Sequence, residues 1–228
     1  MNTKTVIFSL GGSLIVPKGI IDIKFLKEFK RFILTLLDNK YRVVLIAGGG
    51  GICRYYNDEA KKITAIKNEN LDLIGIAATK LNAELIRSIF SDYAYFKVIA
   101  NPYTKIKTNK KIIVASGWKP GFSSDKDAVI WAKNFKGELV INLSNIDFVY
   151  NKDPRKYSDA KPIKEISWTD FRKIGGNKWL PGKSWPFDPV ASRLAQQFKL
   201  KVIVINGQKI KNLKNCLMGK NFKGTIIG

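Results

Sequence analysis

Six short runs of β-branched and other apolar residues recur along the chain, and each predicts a strand. They are Thr5 to Leu10, Arg42 to Ala47, Phe96 to Ala100, Lys111 to Ala115, Glu138 to Leu143 and Lys201 to Asn206. Between them apolar residues return at helical spacing, as in Phe25, Phe29, Phe32, Ile33 and Leu36, or Ala191, Leu194, Ala195 and Phe198. Strands alternating with helices predict a mostly parallel sheet covered on both faces, a three-layer αβα sandwich of the α/β class. Phe222 to Ile227, around Lys223-Gly224, predicts a short antiparallel edge. No repeat, Pro/Ser-rich linker or low-complexity stretch divides the 228 residues, which predicts a single domain. In such sheets ligands bind beyond the carboxyl ends of the strands, so the loops that follow strands are where chemistry is expected.

Four of these loops carry candidate chemistry. Ser9-Leu10-Gly11-Gly12-Ser13 follows the first strand, and its adjacent glycines suit either a tight turn or a cradle of backbone N–H groups for a phosphate. After the second strand come Gly48-Gly49-Gly50-Gly51 and a helix with Arg54, Tyr55, Tyr56, Glu59 and Ala60. Four glycines lose much backbone entropy on folding, more than a simple turn requires, and a helix start with Arg54 one turn in makes an anion site. Neither loop fits GxGxxG, since Cys53 stands where the third glycine would fall. Gly182-Lys183-Ser184 resembles the end of a P-loop, yet Asn177 stands in place of its first glycine and Trp185-Pro186 follows in place of a helix.

The third loop runs from Ser116 through Trp118, Pro120-Gly121 and Ser123-Ser124-Asp125 to Asp127, before a helix with Ile130, Trp131 and Ala132. Ser124 with Asp127 approximates a capping box. The hydroxyls and carboxylate at this helix start also suit binding of a phosphoryl acceptor and positioning of a cation. The fourth, Leu143 to Pro154, reads either as a polar turn stopped by proline or as a nucleotide pocket with Tyr150 against a base.

Composition narrows the chemistry. There is no histidine, which removes His general bases, His triads and His metal ligands. Cys53 and Cys216 lack a partner at CxxC spacing, so two buried free thiols in a reducing compartment are expected. No apolar run approaches a membrane span, and Met1 leads into the first strand without a signal-like segment, which predicts a cytoplasmic protein. The net charge of +22 favours anionic small substrates through steering, but the 40 basic residues are spread along the chain and predict no dedicated nucleic-acid face.

In this order, the four constellations resemble the amino acid kinase superfamily, and within it the archaeal-type uridylate (UMP) kinases, over nearly the whole chain. Gly11-Gly12-Ser13 is similar to the family's first phosphate loop, and Gly48 to Arg54 to its GGGxxxR segment. Asp72-Leu73-Ile74-Gly75, Thr79 and Asn82-Ala83 resemble its DxxG…TxxNA stretch, and Pro120-Gly121 with Ser123-Ser124-Asp125 its PG-x-TTD. Ser144 to Tyr150 is similar to TNVDGVY, Asp153-Pro154 with Asp159-Ala160-Lys161 to ADPKKxPDAK, and Asp188-Pro189-Val190-Ala191 to DPLAA.

The resemblance implies transfer of the γ-phosphoryl group of MgATP to UMP, with Mg²⁺ held mainly by the ATP phosphates and no protein metal ligand assigned. It implies that Gly48, Gly49, Gly50, Arg54, Asp72, Gly75, Thr79, Asn82, Ser123 and Ser124 bind UMP. Gly11, Gly12, Ser144, Asn145, Asp147, Tyr150, Asp153 and Pro154 would border ATP, with Asp125, Gly12 and Ser13 at the transfer centre. The acceptor side would lie in residues 1–130 and the ATP side in 131–228. Relatives of this type are commonly hexamers, so a homo-oligomer is implied.

The chain departs from the pattern at several positions. Ser9 stands where many superfamily members carry a lysine, which archaeal-type uridylate kinases also lack there, so another cation is required. Lys119, Lys126, Lys161 and Lys183 are the candidates, which sequence does not rank. Gly51 replaces a frequent lysine, Phe148 a glycine and Trp118 a threonine near the acceptor pocket. These changes leave two alternatives, a kinase of this fold for another small anionic acceptor and a non-catalytic nucleotide-binding protein.

Overall fold

The computed structural model describes residues 4–137, 139–154, 156–175 and 186–228. The first half runs β1 (Lys4–Leu10), α1 (Gly12–Ile15), a 3-10 turn at Pro17–Gly19, α2 (Ile23–Asp38), β2 (Tyr41–Ala47), α3 (Gly50–Ile63), α4 (Asn68–Ile89) and β3 (Ile112–Ala115). The second half begins with α5 (Ser124–Asn134), β4 (Leu139–Ser144) and three two-residue strands, β5 (Val149–Tyr150), β6 (Pro162–Ile163) and β7 (Glu165–Ile166). It ends with α6 (Trp168–Gly175), α7 (Pro189–Gln197), β8 (Lys201–Asn206), α8 (Ile210–Leu217) and β9 (Thr225–Ile227).

Seven strands form the central sheet in the order β3-β2-β1-β4-β8-β9-β7, while β5 and β6 pair separately. The first five in that order are parallel, joined by crossovers that place helices on both faces. Alternation along the strands divides the core in two. Phe8, Leu10, Val43, Leu45, Ile141 and Ile203 face the side packed by α2, α4 and α8, where Phe8 meets Phe29 and Phe32 edge-on. Ile7, Val44, Ile46, Val140, Val202 and Val204 face the opposite side with α5, α6 and α7. The αβα sandwich expected from the alternation of elements is therefore present.

Two sequence expectations are corrected. Phe96 to Ala100 is not a strand: it touches β3 through one isolated bridge, Ile99 with Ala115, and a second, Ala94 with Ile112, lies just before it. Phe96 is exposed and Ile99 buried, so the run supplies single side chains to the sheet margin without a continuous ladder. The C-terminal strand is antiparallel to β8, as expected, but it is not the edge, because β7 pairs with its other side in parallel. The two cysteines are free and half-buried, and burial raises both thiols, Cys216 to about 11. Among the described residues no helix is long and apolar enough to cross a membrane.

Candidate active site

The chain leaves β1 toward β2 and β3 on one side and later adds β4 on the other, so β1 and β4 flank the point where the strand order reverses. Two glycine loops meet there. The Gly11 amide donates to Leu143 O at 2.9 Å and the Gly48 amide to Leu10 O at 2.9 Å, fixing each loop to the end of the neighbouring strand. Their backbones then approach so closely that a Cβ on Gly12 would collide with the Gly50 nitrogen and the Gly48 carbonyl. Gly50 has φ +67°, a left-handed conformation that favours glycine, and starts α3. Gly50 and Gly51 thus belong to the helix. A Cβ on the buried Gly51 would strike the 3-10 turn at Lys18 and Gly19, which explains glycine at this position in this chain.

The loop is braced from α4. Asn82 is buried, and its amide donates to Gly48 O at 2.8 Å and Gly49 O at 3.1 Å. Its donors are spent on the loop, so Asn82 sets the direction of the glycine backbone. Thr79 Oγ1 accepts from the Gly117 amide at 2.9 Å and donates to Ile76 O at 2.7 Å, and Asp72 Oδ2 accepts from the Gly121 amide at 3.0 Å. Three residues that the sequence resemblance assigned to the acceptor therefore hold the two loops that would enclose it. Gly75 sits against the Cys53 sulfur, while Arg54, on the exposed face of α3, makes no hydrogen bond or ion pair with the described residues.

Opposite these loops is the start of α5. The cap is Ser123, one residue before the expected Ser124: its hydroxyl accepts from the Lys126 amide at 3.1 Å. Asp127 takes no part in a capping box, because its carboxyl group is fully buried and accepts no hydrogen bond. Asp125 instead joins four elements. Its Oδ1 accepts from Ser9 Oγ on β1 at 2.9 Å and from Asn142 Nδ2 on β4 at 2.8 Å, and its Oδ2 from the Asp188 amide, at the cap of α7, at 3.1 Å.

Ser9 and Asn142 lie directly across from each other in the parallel register of β1 and β4. On their strands they occupy the face that packs α5, where apolar residues would otherwise continue. Burial, followed by the charge of Asp188, raises Asp125 to about 6 against the pull of its three hydrogen bonds. Asp188 is itself raised by burial, opposed by its bond to the Ala191 amide.

On the side beyond β4, the Ser144 carbonyl accepts from the Gly207 amide at 2.9 Å. Asp147 accepts from Asn206 Nδ2 at 2.9 Å and from Lys209 Nζ at 2.6 Å, and the lysine's bond, foremost, holds its carboxyl below the usual range. Asn145 is exposed beside it, and Tyr150 pairs with Pro162 in the small sheet. Asp153 and Pro154 lie in the turn beyond, where the Asp153 carbonyl accepts from the Lys156 and Tyr157 amides. Gly182, Lys183 and Ser184 lie outside the described residues.

Sequence reasoning singled out Asp125 but missed its partners. The signal for Ser9 and Asn142 was present: each interrupts an apolar strand near its end, one residue before the end of β1 and two before the end of β4. Asn206 ends β8, Lys209 follows it, and neither carries a local signature, so only the tertiary arrangement reveals their approach to Asp147.

Glycine loops at a strand-order switch, facing a carboxylate at a helix start, are an arrangement suited to phosphoryl transfer. The chain belongs to the amino acid kinase family, whose model matches residues 4–206. It is 34% identical over 226 residues to a uridylate kinase of Methanococcus aeolicus, covering 97% of this chain and 98% of the relative. To a uridylate kinase of Staphylothermus marinus it is 35% identical over 227 residues, covering 99% of both. The crystal structure of the uridylate kinase from Archaeoglobus fulgidus superimposes with a TM-score of 0.82 at 28% identity, covering 99% of this chain and 100% of that one.

Proposed function

We propose that the chain is a UMP kinase, transferring the γ-phosphoryl group of ATP to UMP in pyrimidine nucleotide biosynthesis. In this step an acceptor phosphate oxygen forms a bond to the γ-phosphorus, the bond from that phosphorus to the β–γ bridging oxygen breaks, and UDP and ADP leave. Full-length similarity to uridylate kinases supports the reading. The observation that carries it is the meeting of Gly11-Gly12 and Gly48 to Gly51 at one point, opposite Ser123, Ser124 and Asp125.

Positioning and charge stabilisation dominate phosphoryl transfer, so the lack of histidine is no obstacle. Gly48, Gly49, Gly50 and Arg54 hold the acceptor phosphate, with Ser123 and Ser124 on its far side. Asp72, Thr79 and Asn82 shape that pocket through the loops they brace, and Gly75, beside Cys53, lines it. Gly11, Gly12 and Ser13 present the first loop to the transferring group, and Asp125 holds the centre together. Ser144, Asn145, Asp147, Tyr150, Asp153 and Pro154 border ATP, which divides the chain into an acceptor side over residues 1–130 and an ATP side over 131–228.

Among the described residues no three acidic or cysteine side chains gather as a cation cage. Both Asp125 oxygens already accept hydrogen bonds. This donor set fits a Mg²⁺ that would be held mainly by the ATP phosphates, with no carboxylate cage supplied by the chain's described residues. Bound there, Mg²⁺ neutralises charge on the β- and γ-phosphates. We also propose a cytoplasmic homo-oligomer, a hexamer, to be checked by light scattering of the purified chain.

A coupled assay with MgATP and a panel of UMP, CMP, dUMP and non-nucleotide acceptors tests the function. UMP-selective UDP formation is expected. ATP binding without any turnover, or turnover with a non-nucleotide anion and none with UMP, overturns it. Arg54→Ala is expected to raise the KM for UMP about 10- to 100-fold, the worth of a charge-assisted hydrogen bond, with a smaller change in kcat. An unchanged KM in that variant removes Arg54 from the acceptor site.

A further inference from the structure

We propose that Lys126 supplies the cation that stabilises the transferring phosphoryl group, held ready by the Phe122 ring at the start of α5. The inference rests on the kinase reading above and names a residue of that site.

Asp125 and Asp188 lie side by side at the centre, Asp127 is buried near Asp125, and the substrates of a nucleotide kinase add several more negative charges. β1 brings no compensation, because Ser9 is neutral and its hydroxyl is bound to Asp125. A site that joins two phosphates therefore requires a positive group from elsewhere in the chain.

Lys126 meets the geometric requirements. It lies in the first turn of α5, adjacent to Asp125 in sequence, with its own amide bound to the Ser123 hydroxyl. Its ammonium is 3.3 Å from the centroid of the Phe122 ring, a cation–π contact that positions the charge without neutralising it. The ammonium is also in the field of the acidic centre. Burial lowers its affinity for the proton, the carboxylates of Asp127 and Asp188 raise it, and the ammonium of Lys119 lowers it again. A half-buried ammonium in this setting is poorly solvated, which strengthens its pull on a phosphate.

The other candidates fit less well. Lys119 belongs to an exposed residue, with its ammonium over Trp118 at 4.2 Å and 5.2 Å from Phe122. Lys161 is exposed at the start of the small sheet, where its amide binds the Asn151 side chain. Lys183 lies outside the described residues. Trp118 packs edge to face against both Tyr103 and Phe122, which fixes the Phe122 ring beneath the Lys126 ammonium.

The test uses the full chain with MgATP and UMP, comparing the wild type with Lys126→Met, Lys126→Arg and Lys119→Met. Lys126→Met is expected to lower kcat about 10- to 100-fold, with little change in the KM for UMP or ATP. Lys126→Arg restores most of that loss, and because guanidinium does not titrate, it abolishes the alkaline limb of the kcat profile. Lys119→Met leaves the plateau kcat unchanged and moves the alkaline limb to higher pH, since removing a like charge raises the affinity of Lys126 for its proton.

A Lys126→Met variant that melts like the wild type and retains its kcat and pH profile overturns the assignment. So does a Lys126→Arg variant that folds but is as slow as the Met variant. If Lys126→Met does not fold, the decision passes to the alkaline limb in Lys126→Arg and Lys119→Met. A wild type that forms no UDP is a different failure: it overturns the kinase reading, and this inference with it.

Discussion

Asp125→Asn lowers the kcat for UDP formation by about 10²- to 10³-fold while the chain remains folded, in the range found when a charge-stabilising group is removed from a transfer site. The wild-type carboxylate accepts three hydrogen bonds, from Ser9, Asn142 and the Asp188 amide. An asparagine can offer its carbonyl oxygen to Ser9 and Asn142, but its amide then faces the Asp188 N–H, leaving one donor unpaired at a cost of about 1–3 kcal/mol. Removal of a buried charge beside Asp188 offsets part of that loss. The fold therefore tolerates the change better than the chemistry does, since the negative charge proposed to organise the transfer centre is gone at every pH. The sign of the pH effect follows from the same group. Because its folded value is raised to about 6, the ionised form is lost as pH falls through about 6, and the wild-type kcat declines there. The acid limb is absent in Asp125→Asn. A variant that keeps the parental kcat, or keeps the limb near 6, shows that Asp125 is a structural bracket only.

The legibility of this site in the sequence follows from how locally each feature is determined. Glycine loops after strands and a Ser-Ser-Asp helix start are local patterns, each with a backbone reason, and they lie where the pattern placed them. β1, β2, β4 and β8 form near their expected positions because parallel strands, covered on both faces, are apolar nearly throughout. Phe96 to Ala100 misled because a β-branched, aromatic run satisfies strand propensity without finding a partner along its length. The bracing roles of Asp72, Thr79 and Asn82 were illegible for a different reason. Their positions on α4 are visible, but whether a polar side chain meets a ligand or a loop amide depends on a tertiary approach across 34 to 49 residues. The same holds for Lys209, which reaches Asp147 over 62 residues. Ser9 is the intermediate case. Its polarity in an apolar strand marks it as unusual, and its register with Asn142 explains it, yet the shared partner Asp125 is 116 residues away from Ser9.

Asp127→Asn stabilises the chain at pH 8 by about 1–3 kcal/mol, and the gain disappears by pH 4.5. Asp127 is fully buried, and neither carboxyl oxygen accepts a hydrogen bond; the Trp118 N–H favours the charged form without reaching hydrogen-bond geometry. Burial raises the group to about 7, opposed by Trp118 and Lys126 and assisted by the charge of Asp125. Its ordinary value is 3.8, so the folded chain binds a proton that the unfolded chain has released across the interval from about 4 to about 7. Stability from this group is fully present below about 4 and is lost as pH rises through about 7. A rise of roughly 3 units corresponds to up to about 4 kcal/mol between the two ends. Asparagine is neutral throughout and avoids that loss, while its unpaired buried amide returns about 1–3 kcal/mol of it. Thermal unfolding at pH 4.5 and pH 8 measures the difference, and equal midpoints for wild type and variant at pH 8 would show that Asp127 is solvated or paired in solution. Such a cost persists in a folded enzyme when the charge does something for the site. Here the Asp127 carboxylate helps to keep Lys126 protonated, so the stabilised Asp127→Asn variant is expected to lose kcat at lower alkaline pH than the wild type.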